Sequence, residues 1–199
     1  GQLTNHKKFG EDLAILAGDA LFLDPFGMIA ASALPDEVKV SLILELSDAS
    51  GSRGMVAGQV LDMEGEHKQL TLAELQTIHA NKTGRLLAYP FIAAGLILEL
   101  QADIGQLLEQ IGKKLGLAFQ VRDDILDLVA DFEALGKTPQ KDLVAEKSTY
   151  PALLGLEESK ALLTSELDAC EDLLDQITAA CDFDPQAIKK LIEGLRIDG

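Results

Sequence analysis

Tryptophan is absent from this chain of 199 residues, and aromatic residues make up only 5% of it. Prolines are also few, while Leu and Ala are abundant, which together favour an all-helical protein. Positive charge is scarce as well, since 17 Lys and Arg stand against 33 Asp and Glu, for a formal net charge of −16. Binding to a nucleic-acid backbone needs clustered Lys and Arg, so we expect no nucleic-acid partner.

Cysteine is limited to two residues, Cys170 and Cys181. On one continuous helix they would lie about 16 Å apart, too far for a disulfide. Reduced thiols predict a cytoplasmic location. No uninterrupted apolar run approaches the roughly 18 residues of a membrane span, and no signal peptide is recognisable, so we expect no membrane span.

The apolar residues recur with the period of helices, and no strand pattern is present. We predict one helical domain over residues 1–199, and a capping box formed by Thr71 and Glu74. The predicted helices cover 11–33 with a bend at Pro25, 36–50, 51–64, 72–98, 102–131, a short segment after Ser148, 157–180 and 185–195. Residues 132–147 are predicted to form a loop.

The stretch 119–131, FQVRDDILDLVAD, places acids on a helix that is otherwise nearly all apolar. Its polar side chains fall on one narrow stripe: Gln120, Asp123, Asp124, Asp127 and Asp131. A helix that is apolar on nearly all sides is predicted to be interior. The helix 157–180 is a contrast, because its acids Asp168, Asp172 and Asp175 lie opposite an apolar stripe and indicate an ordinary solvated face.

Adjacent carboxylates near 4 Å repel by about 1 kcal/mol in water and by more in a partly buried cleft. A magnesium ion removes this penalty, and it typically combines one or two carboxylates with substrate phosphates. The stripe therefore predicts a metal-linked phosphate site. A structural acidic cluster is the alternative on these residues alone.

Further polar residues interrupt apolar segments. Gln59 and Asp62 lie on one side of a glycine-rich helix, where Gly58 would allow a close approach. Lys82 and Thr83 interrupt a long helix, which predicts either a kink facing a cleft or a loose turn with an exposed Lys. Lys137 and Lys147 flank the predicted loop and could close over an anion. The three histidines, His6, His67 and His79, lack metal-ligand spacing and are interpreted as surface or packing residues.

Five segments in one order, GEDLAILAGDAL, GQVLDME, HANKTG, GLAFQVRDDILD and EKSTYPALLGL, resemble the trans-isoprenyl diphosphate synthases. The resemblance is greatest to the bacterial farnesyl diphosphate synthase type. It implies an all-α, isoprenoid-synthase-type helical bundle around a central cavity, usually homodimeric, with a Mg²⁺-dependent reaction. An allylic diphosphate ionises there, its carbocation alkylates isopentenyl diphosphate, and a proton is lost.

The same resemblance implies roles for individual residues. Asp123, Asp124 and Asp127 would bind magnesium, with Asp62 and Asp131 supporting the site. The allylic diphosphate would be held by Gln59, Lys82, Lys137 and Lys147. Lys82, Thr83, Gln120 and Asp123 would carry the catalysis, with Thr83, Gln120 and the Lys82 carbonyl facing the developing cation.

This sequence lacks the family's first aspartate-rich motif and the arginines that follow it, which in the family lie upstream of the position that matches Gly1. We expect a fragment that lacks the N-terminal helices and is inactive alone. Three alternatives stay open. They are a geranylgeranyl diphosphate synthase, a class I terpene cyclase, and a non-catalytic accessory helical subunit.

Overall fold

The computed structural model describes residues 2–135 and 148–197, with side chains as far as Ala130 and again from Ser148. The helices are α1 Asn5–Phe9, α2 Glu11–Ala30, α3 Asp36–Ser50, α4 Met55–Gly65, α5 Leu72–His79, a π-helical turn Ala80–Gly84, α6 Arg85–Ile97, α7 Ala102–Leu135, α8 Tyr150–Leu154, α9 Leu156–Ala180 and α10 Gln186–Leu195. These ranges contain no strand, which confirms the all-α prediction.

Helix α7 lies at the centre and packs against both α6 and α9. Its buried apolar side chains recur every three or four residues, at Ile104, Leu108, Ile111, Leu115, Ala118, Val121 and Ile125. The facing side chains of α9 are Leu163, Leu167, Cys170, Leu174 and Ile177. Full burial of each large apolar side chain contributes on the order of 2 kcal/mol, so this seam fixes the rotation of α7 about its axis.

The other face of α7 is open. Phe119 is 41% exposed and Leu126 is 37% exposed, whereas Val121 and Ile125 are fully buried. The prediction that this helix is interior on nearly all sides is therefore wrong for Phe119 and Leu126. The apolar composition predicts the core side correctly, but it does not show that the described residues leave Phe119 and Leu126 partly uncovered.

The capping box at the start of α5 is confirmed. The Glu74 amide donates to the Thr71 hydroxyl at 3.3 Å, and the Glu74 carboxylate accepts from the Thr71 amide at 2.7 Å. The hydrogen bonds that the Glu74 carboxylate accepts from the Thr71 amide and, second in effect, from the Thr71 hydroxyl lower the pKa of Glu74. They fix where α5 begins and so set the position of the π-helical turn that follows it.

Three helix boundaries differ from prediction by three residues or more. Helix α2 ends at Ala30, and α4 begins at Met55 rather than at residue 51. A Cβ atom on Gly51 would lie 2.6 Å from the Ser47 carbonyl oxygen, so this glycine forms a tight turn rather than a helix start. Helix α7 continues to Leu135, so the predicted loop is wrong for 132–135. Residues 136–147 lie outside the described residues.

Helix α2 is largely apolar, and none of its residues is buried. It is the one helix in the described ranges that is long and apolar enough to cross a membrane, by length and composition only. Asp19 and Asp24 interrupt its apolar run, so the sequence contains no uninterrupted run of this length, as expected, and the absence of a membrane span stays a prediction. Buried helices of soluble proteins and signal sequences meet the same criterion.

Candidate active site

A cavity of about 550 Å³ lies between the π-helical turn, the acidic stripe of α7, the segment after α4 and the start of α8. It brings together seven residues singled out in the sequence: Asp62, Lys82, Thr83, Gln120, Asp123, Asp124 and Asp127. The rest of its lining is Gly65, Glu66, His67, Leu70, Leu75, His79 and Ser148. The predicted convergence of the acids with the Lys-Thr pair is thus present in the fold.

Asp123 and Asp127 stand one helical turn apart on the open face of α7. Both carboxylates are exposed, and neither makes a hydrogen bond or ion pair within the described residues. The buried Val121 and Ile125 on the same helix hold that face toward the cavity. The arrangement leaves two carboxylates with their oxygen lone pairs available to a cation.

Asp124 has a different environment. Its Oδ2 accepts a hydrogen bond from the Tyr150 amide at 2.9 Å, at the first residue of α8. One oxygen of this carboxylate therefore joins α7 to the start of α8. Its role as a metal ligand stays a prediction.

Lys82 lies within the π-helical turn, where the Arg85 amide bonds to the Ala80 carbonyl five residues earlier. The sequence predicted either a kink or a loose turn, and the structure has a widened helical turn. Helix α4 passes so close that a Cβ atom on Gly58 would overlap the Lys82 amide nitrogen. The close approach predicted at Gly58 is confirmed, and it aligns α4 with the turn.

The polar side chains of the turn are held by partners on both sides. The Lys82 ammonium donates to Asp62 Oδ2 at 2.5 Å, and the Thr83 hydroxyl donates to Gln120 Oε1 at 3.3 Å. The Lys82 and Asp62 side chains are 36% and 31% exposed, so their ion pair is within reach of solvent and ligands. Asp62 uses one of the three ammonium hydrogens, which leaves the others to donate elsewhere.

The metal-binding prediction can be tested against the donors present. Within the described residues, no group of three or more His, Cys, Asp or Glu side chains could hold a metal ion by itself. Magnesium usually binds through one or two carboxylates together with substrate phosphates rather than in an all-protein cage. Asp123 and Asp127 supply such carboxylates, so the donor set fits magnesium bound together with a diphosphate.

Several predicted site residues are not brought together here. Gln59 is exposed and is not among the residues lining the cavity. The Asp131 side chain, Lys137 and Lys147 lie outside the described residues. Their roles stay predictions.

Sequence reasoning missed two features of the lining. His67 is exposed and His79 packs against Tyr150, as interpreted from the sequence, but both also line the cavity. Ser148 lines it too, and its hydroxyl accepts from the Leu70 amide at 3.0 Å and donates to the Lys68 carbonyl at 3.4 Å. These contacts join segments far apart in sequence, and no local pattern signals them.

Tyr150 lies directly behind this wall. It is fully buried, its ring centroid is 5.5 Å from that of His79, and its hydroxyl has no hydrogen-bond partner within the described residues. Burial, reinforced by the Asp124 and Glu166 carboxylates, raises the pKa of Tyr150 well above its usual range. The phenol is neutral at physiological pH.

The aspartates of α9 lie on a solvated face, as predicted from the sequence. Asp168, Asp172 and Asp175 are all exposed, on the side opposite the buried stripe. Arg196 donates to Asp168 at 2.8 Å and to Glu171 at 3.1 Å, and these bonds raise the pKa of Arg196. The acids of α9 thus serve a structural contact with the chain after α10.

Comparisons with known proteins agree with this geometry. The chain matches the sequence profile of the polyprenyl synthetase family over residues 1–183. It is 50% identical over 193 residues to farnesyl diphosphate synthase of Micrococcus luteus, covering 97% of this chain and 66% of that protein. It is 46% identical over 174 residues to farnesyl diphosphate synthase of Geobacillus stearothermophilus, covering 86% and 59%.

A solved structure is similar as well. A geranyltransferase from Helicobacter pylori, complexed with magnesium and isoprenyl diphosphate, aligns with a TM-score of 0.81 at 32% identity and covers 98% of this chain and 64% of that one. The chain spans less than two-thirds of the length of these relatives. Since the match extends along nearly all of this sequence, the chain belongs to the polyprenyl synthetase family.

Proposed function

We propose that the protein is a short-chain trans-prenyltransferase that condenses dimethylallyl or geranyl diphosphate with isopentenyl diphosphate to give farnesyl diphosphate and pyrophosphate. The single observation that carries the proposal is the shared cavity of Lys82, Thr83, Gln120, Asp123 and Asp127. The names of the two farnesyl diphosphate synthases compared above support farnesyl diphosphate as the product.

The first requirement of this reaction is a place for the departing diphosphate. Magnesium bound to Asp123 and Asp127 would neutralise the negative charge that grows on the leaving oxygens. Lys82 adds a cation on the opposite wall, and Asp62 orients its ammonium at 2.5 Å. A preorganised charge of this kind stabilises the ionised state most, because it needs no rearrangement as ionisation proceeds.

The second requirement is stabilisation of the allylic cation without trapping it. The Thr83 hydroxyl donates to Gln120 Oε1, so these two dipoles are held in fixed orientation beside the acids. Oriented dipoles stabilise positive charge, and the neutral amide oxygen of Gln120, which accepts the Thr83 hydrogen bond, is a weak nucleophile. Leu70 and Leu75 add apolar surface to the lining, which limits access of water to the cation.

The remaining site residues are assigned by the family resemblance. Gln59, Lys137 and Lys147 would hold the allylic diphosphate, Asp124 would be a third magnesium ligand, and Asp131 would support the metal site. The Asp124 Oδ2 atom also accepts a hydrogen bond from the Tyr150 amide, which fixes the position of this carboxylate.

We also propose a cytoplasmic homodimer. Both cysteines are free thiols, as suits a reducing compartment. The exposed apolar side chains of α2 and α3 include Leu13, Ile15, Leu16, Leu21, Phe22, Leu23, Met28, Val40 and Leu44. Contiguous apolar surface of this kind is typical of a protein interface.

The test is product formation by the polypeptide encoded by the complete reading frame that contains this sequence. Incubation with Mg²⁺, geranyl diphosphate and isopentenyl diphosphate should yield farnesyl diphosphate, identified by chromatography and mass spectrometry. Asp123→Ala should lose the activity, and Asp172→Ala, on the exposed face of α9, should retain it. A longer prenyl product would reassign the enzyme to geranylgeranyl diphosphate synthesis, and a cyclised hydrocarbon from one substrate would reject prenyl transfer.

A further inference from the structure

The cavity wall between α4 and α5 is not helical. Residues 66–71 form turns and irregular backbone, and they contribute Glu66, His67 and Leu70 to the lining. His67 has a φ of 61°, a left-handed conformation that is uncommon for a residue other than glycine. Such backbone persists only where its surroundings hold it.

The loop has few backbone hydrogen bonds of its own. Glu66 N bonds to the Met63 carbonyl at 3.3 Å and Lys68 N bonds to the Gly65 carbonyl at 3.1 Å. Further along the loop, the Ser148 hydroxyl accepts a hydrogen bond from the Leu70 amide and donates one to the Lys68 carbonyl. One side chain therefore satisfies a donor and an acceptor of the loop.

Two residues later the same chain segment contacts the opposite wall. The Tyr150 amide donates to Asp124 on α7, and the Tyr150 ring packs against His79 immediately before the π-helical turn. Residues 148–150 thus connect the loop, the aspartate helix and the helix that leads to Lys82. We name these three residues the clasp.

We propose that Ser148 is a positioning residue: by fixing the loop 66–71 to the clasp, it sets the separation of the cavity walls for a metal-bound diphosphate. Ser148 acts through the loop and through Asp124, with no chemical step of its own. The inference rests on the proposed function, since it assigns the diphosphate group of the substrate to this cavity.

The experiment compares Ser148→Ala with Ser148→Thr, which keeps the hydroxyl. Inorganic diphosphate is titrated into each purified protein by calorimetry, with and without Mg²⁺. We expect Ser148→Ala to weaken the Mg²⁺-dependent affinity about tenfold, the loss typical of about one hydrogen bond, and Ser148→Thr to restore most of it.

Ser159 supplies the matched control. It is a fully buried serine whose hydroxyl donates to the Gly155 carbonyl at 2.8 Å, and it does not line the cavity. Ser159→Ala should lower the melting temperature and leave diphosphate affinity unchanged. Equal affinity of Ser148→Ala and the unaltered protein would overturn the inference, as would a Ser148→Ala protein that fails to fold, since Ser148 would then be a general structural residue.

Amide hydrogen exchange provides a second readout that needs no ligand. In Ser148→Ala, exchange should accelerate at the Leu70 amide, which loses its acceptor, and also at the Tyr150 amide on the other wall. Faster exchange at Leu70 alone would contradict a coupled clasp. If the unaltered protein binds no Mg²⁺-diphosphate, the proposed function fails, whereas coupled exchange at Leu70 and Tyr150 still decides whether Ser148 joins the walls.

Discussion

The aspartates of α7 and those of α9 differ in their partners. Asp123 and Asp127 project into a cavity without a protein partner in the described residues, while Asp168 is bonded to Arg196. Like charges that face each other unpaired are unfavourable to folding and favourable to binding a cation. Removing the charge of Asp123 or Asp127 should therefore weaken cation binding without lowering stability, whereas removing the charge of Asp168 should lower stability without weakening cation binding.

Replacement of Asp127 by Asn should weaken Mg²⁺-dependent diphosphate affinity by at least about tenfold, because one of two available carboxylates is lost. Stability without ligand should be unchanged or slightly higher, since a repulsion is removed. Asp168→Asn should do the reverse, with affinity retained and stability lowered by up to about 1 kcal/mol. Calorimetric titration and urea unfolding check both halves, and equal affinity in Asp127→Asn and the unaltered protein would contradict the site.

The two thiols should differ in reactivity. Burial raises the pKa of Cys170 from 9.0 to about 12, with Lys114 opposing and Glu166 and Glu171 adding to the increase. Cys181 is only partly buried. At about pH 8 a thiol reagent should modify Cys181 in the folded protein and leave Cys170 unmodified until unfolding. The Cys181→Ser variant should therefore lose the fast phase of modification. A fast phase that persists in this variant would show that Cys170 is equally reactive and would contradict the prediction.

The same pKa difference predicts how stability depends on pH. Because folding raises the pKa of Cys170, its thiol ionises at a lower pH in the unfolded chain than in the folded one. The contribution of Cys170 to the free energy of unfolding is therefore complete below about pH 9 and is lost as the pH rises toward about 12. Urea unfolding at about pH 8 and about pH 10.5 should show a decrease in the free energy of unfolding. Cys170→Ala should show a smaller decrease than Cys181→Ala, and equal decreases would contradict the assignment.

At the scale of helices, small residues decide how closely the elements of the site approach. A Cβ atom on Gly116 of α7 would lie 2.7 Å from the Gly84 Cα in the π-helical turn. At Gly105, on the same helix, no atom of another described element lies within 4 Å of such a Cβ position. Gly116 therefore permits contact between α7 and the π-helical turn, whereas Gly105 only lowers the helical preference of the chain.

Gly116→Ala should destabilise the protein by about 1–3 kcal/mol, because the turn has to move away from α7. Gly105→Ala should stabilise it by roughly 0.5–1 kcal/mol, since alanine restricts the unfolded chain and fits the helix. Chemical denaturation of the two variants gives both values. A Gly116→Ala protein as stable as Gly105→Ala would show that the approach of α7 to the turn is not tight.

Helices were the part of this fold that sequence could predict well. The capping box of Thr71 and Glu74, the core stripe of α9 and the acid stripe of α7 from Gln120 to Asp127 are local patterns, and each occurs as expected. The contact of Ser148 with Leu70 spans 78 positions, so no local pattern encodes it. The exposed Phe119 was also mispredicted, because apolar composition indicates preference for burial without indicating what is available to cover the residue.

For the whole molecule, the proposed homodimer predicts that the exposed apolar side chains of α2 lie in the interface. Leu16 and Leu23 are 62% and 67% exposed and stand two helical turns apart. Replacing both by Glu should dissociate the proposed homodimer, because a buried charge without a partner is costly. Size-exclusion chromatography with light scattering measures the mass.

Leu191→Glu, at a residue 48% exposed on α10, is the matched control and should leave the dimer intact. A monomeric unaltered protein at micromolar concentration, or a dimer that survives both substitutions on α2, would contradict this interface. Association with lipid vesicles that Leu16→Glu with Leu23→Glu abolishes would instead assign α2 to a membrane surface.

Helix α7 carries the core seam on one face and the acid row on another, without a break between Ala102 and Leu135. Each added residue turns everything beyond it by about 100° around the helix axis. A single residue inserted between Gly116 and Gln120 would therefore swing Asp123 and Asp127 away from Lys82, or else draw Val121 and Ile125 out of the core. Folding and ligand binding thus share one helical register, and an insertion at this place cannot preserve both.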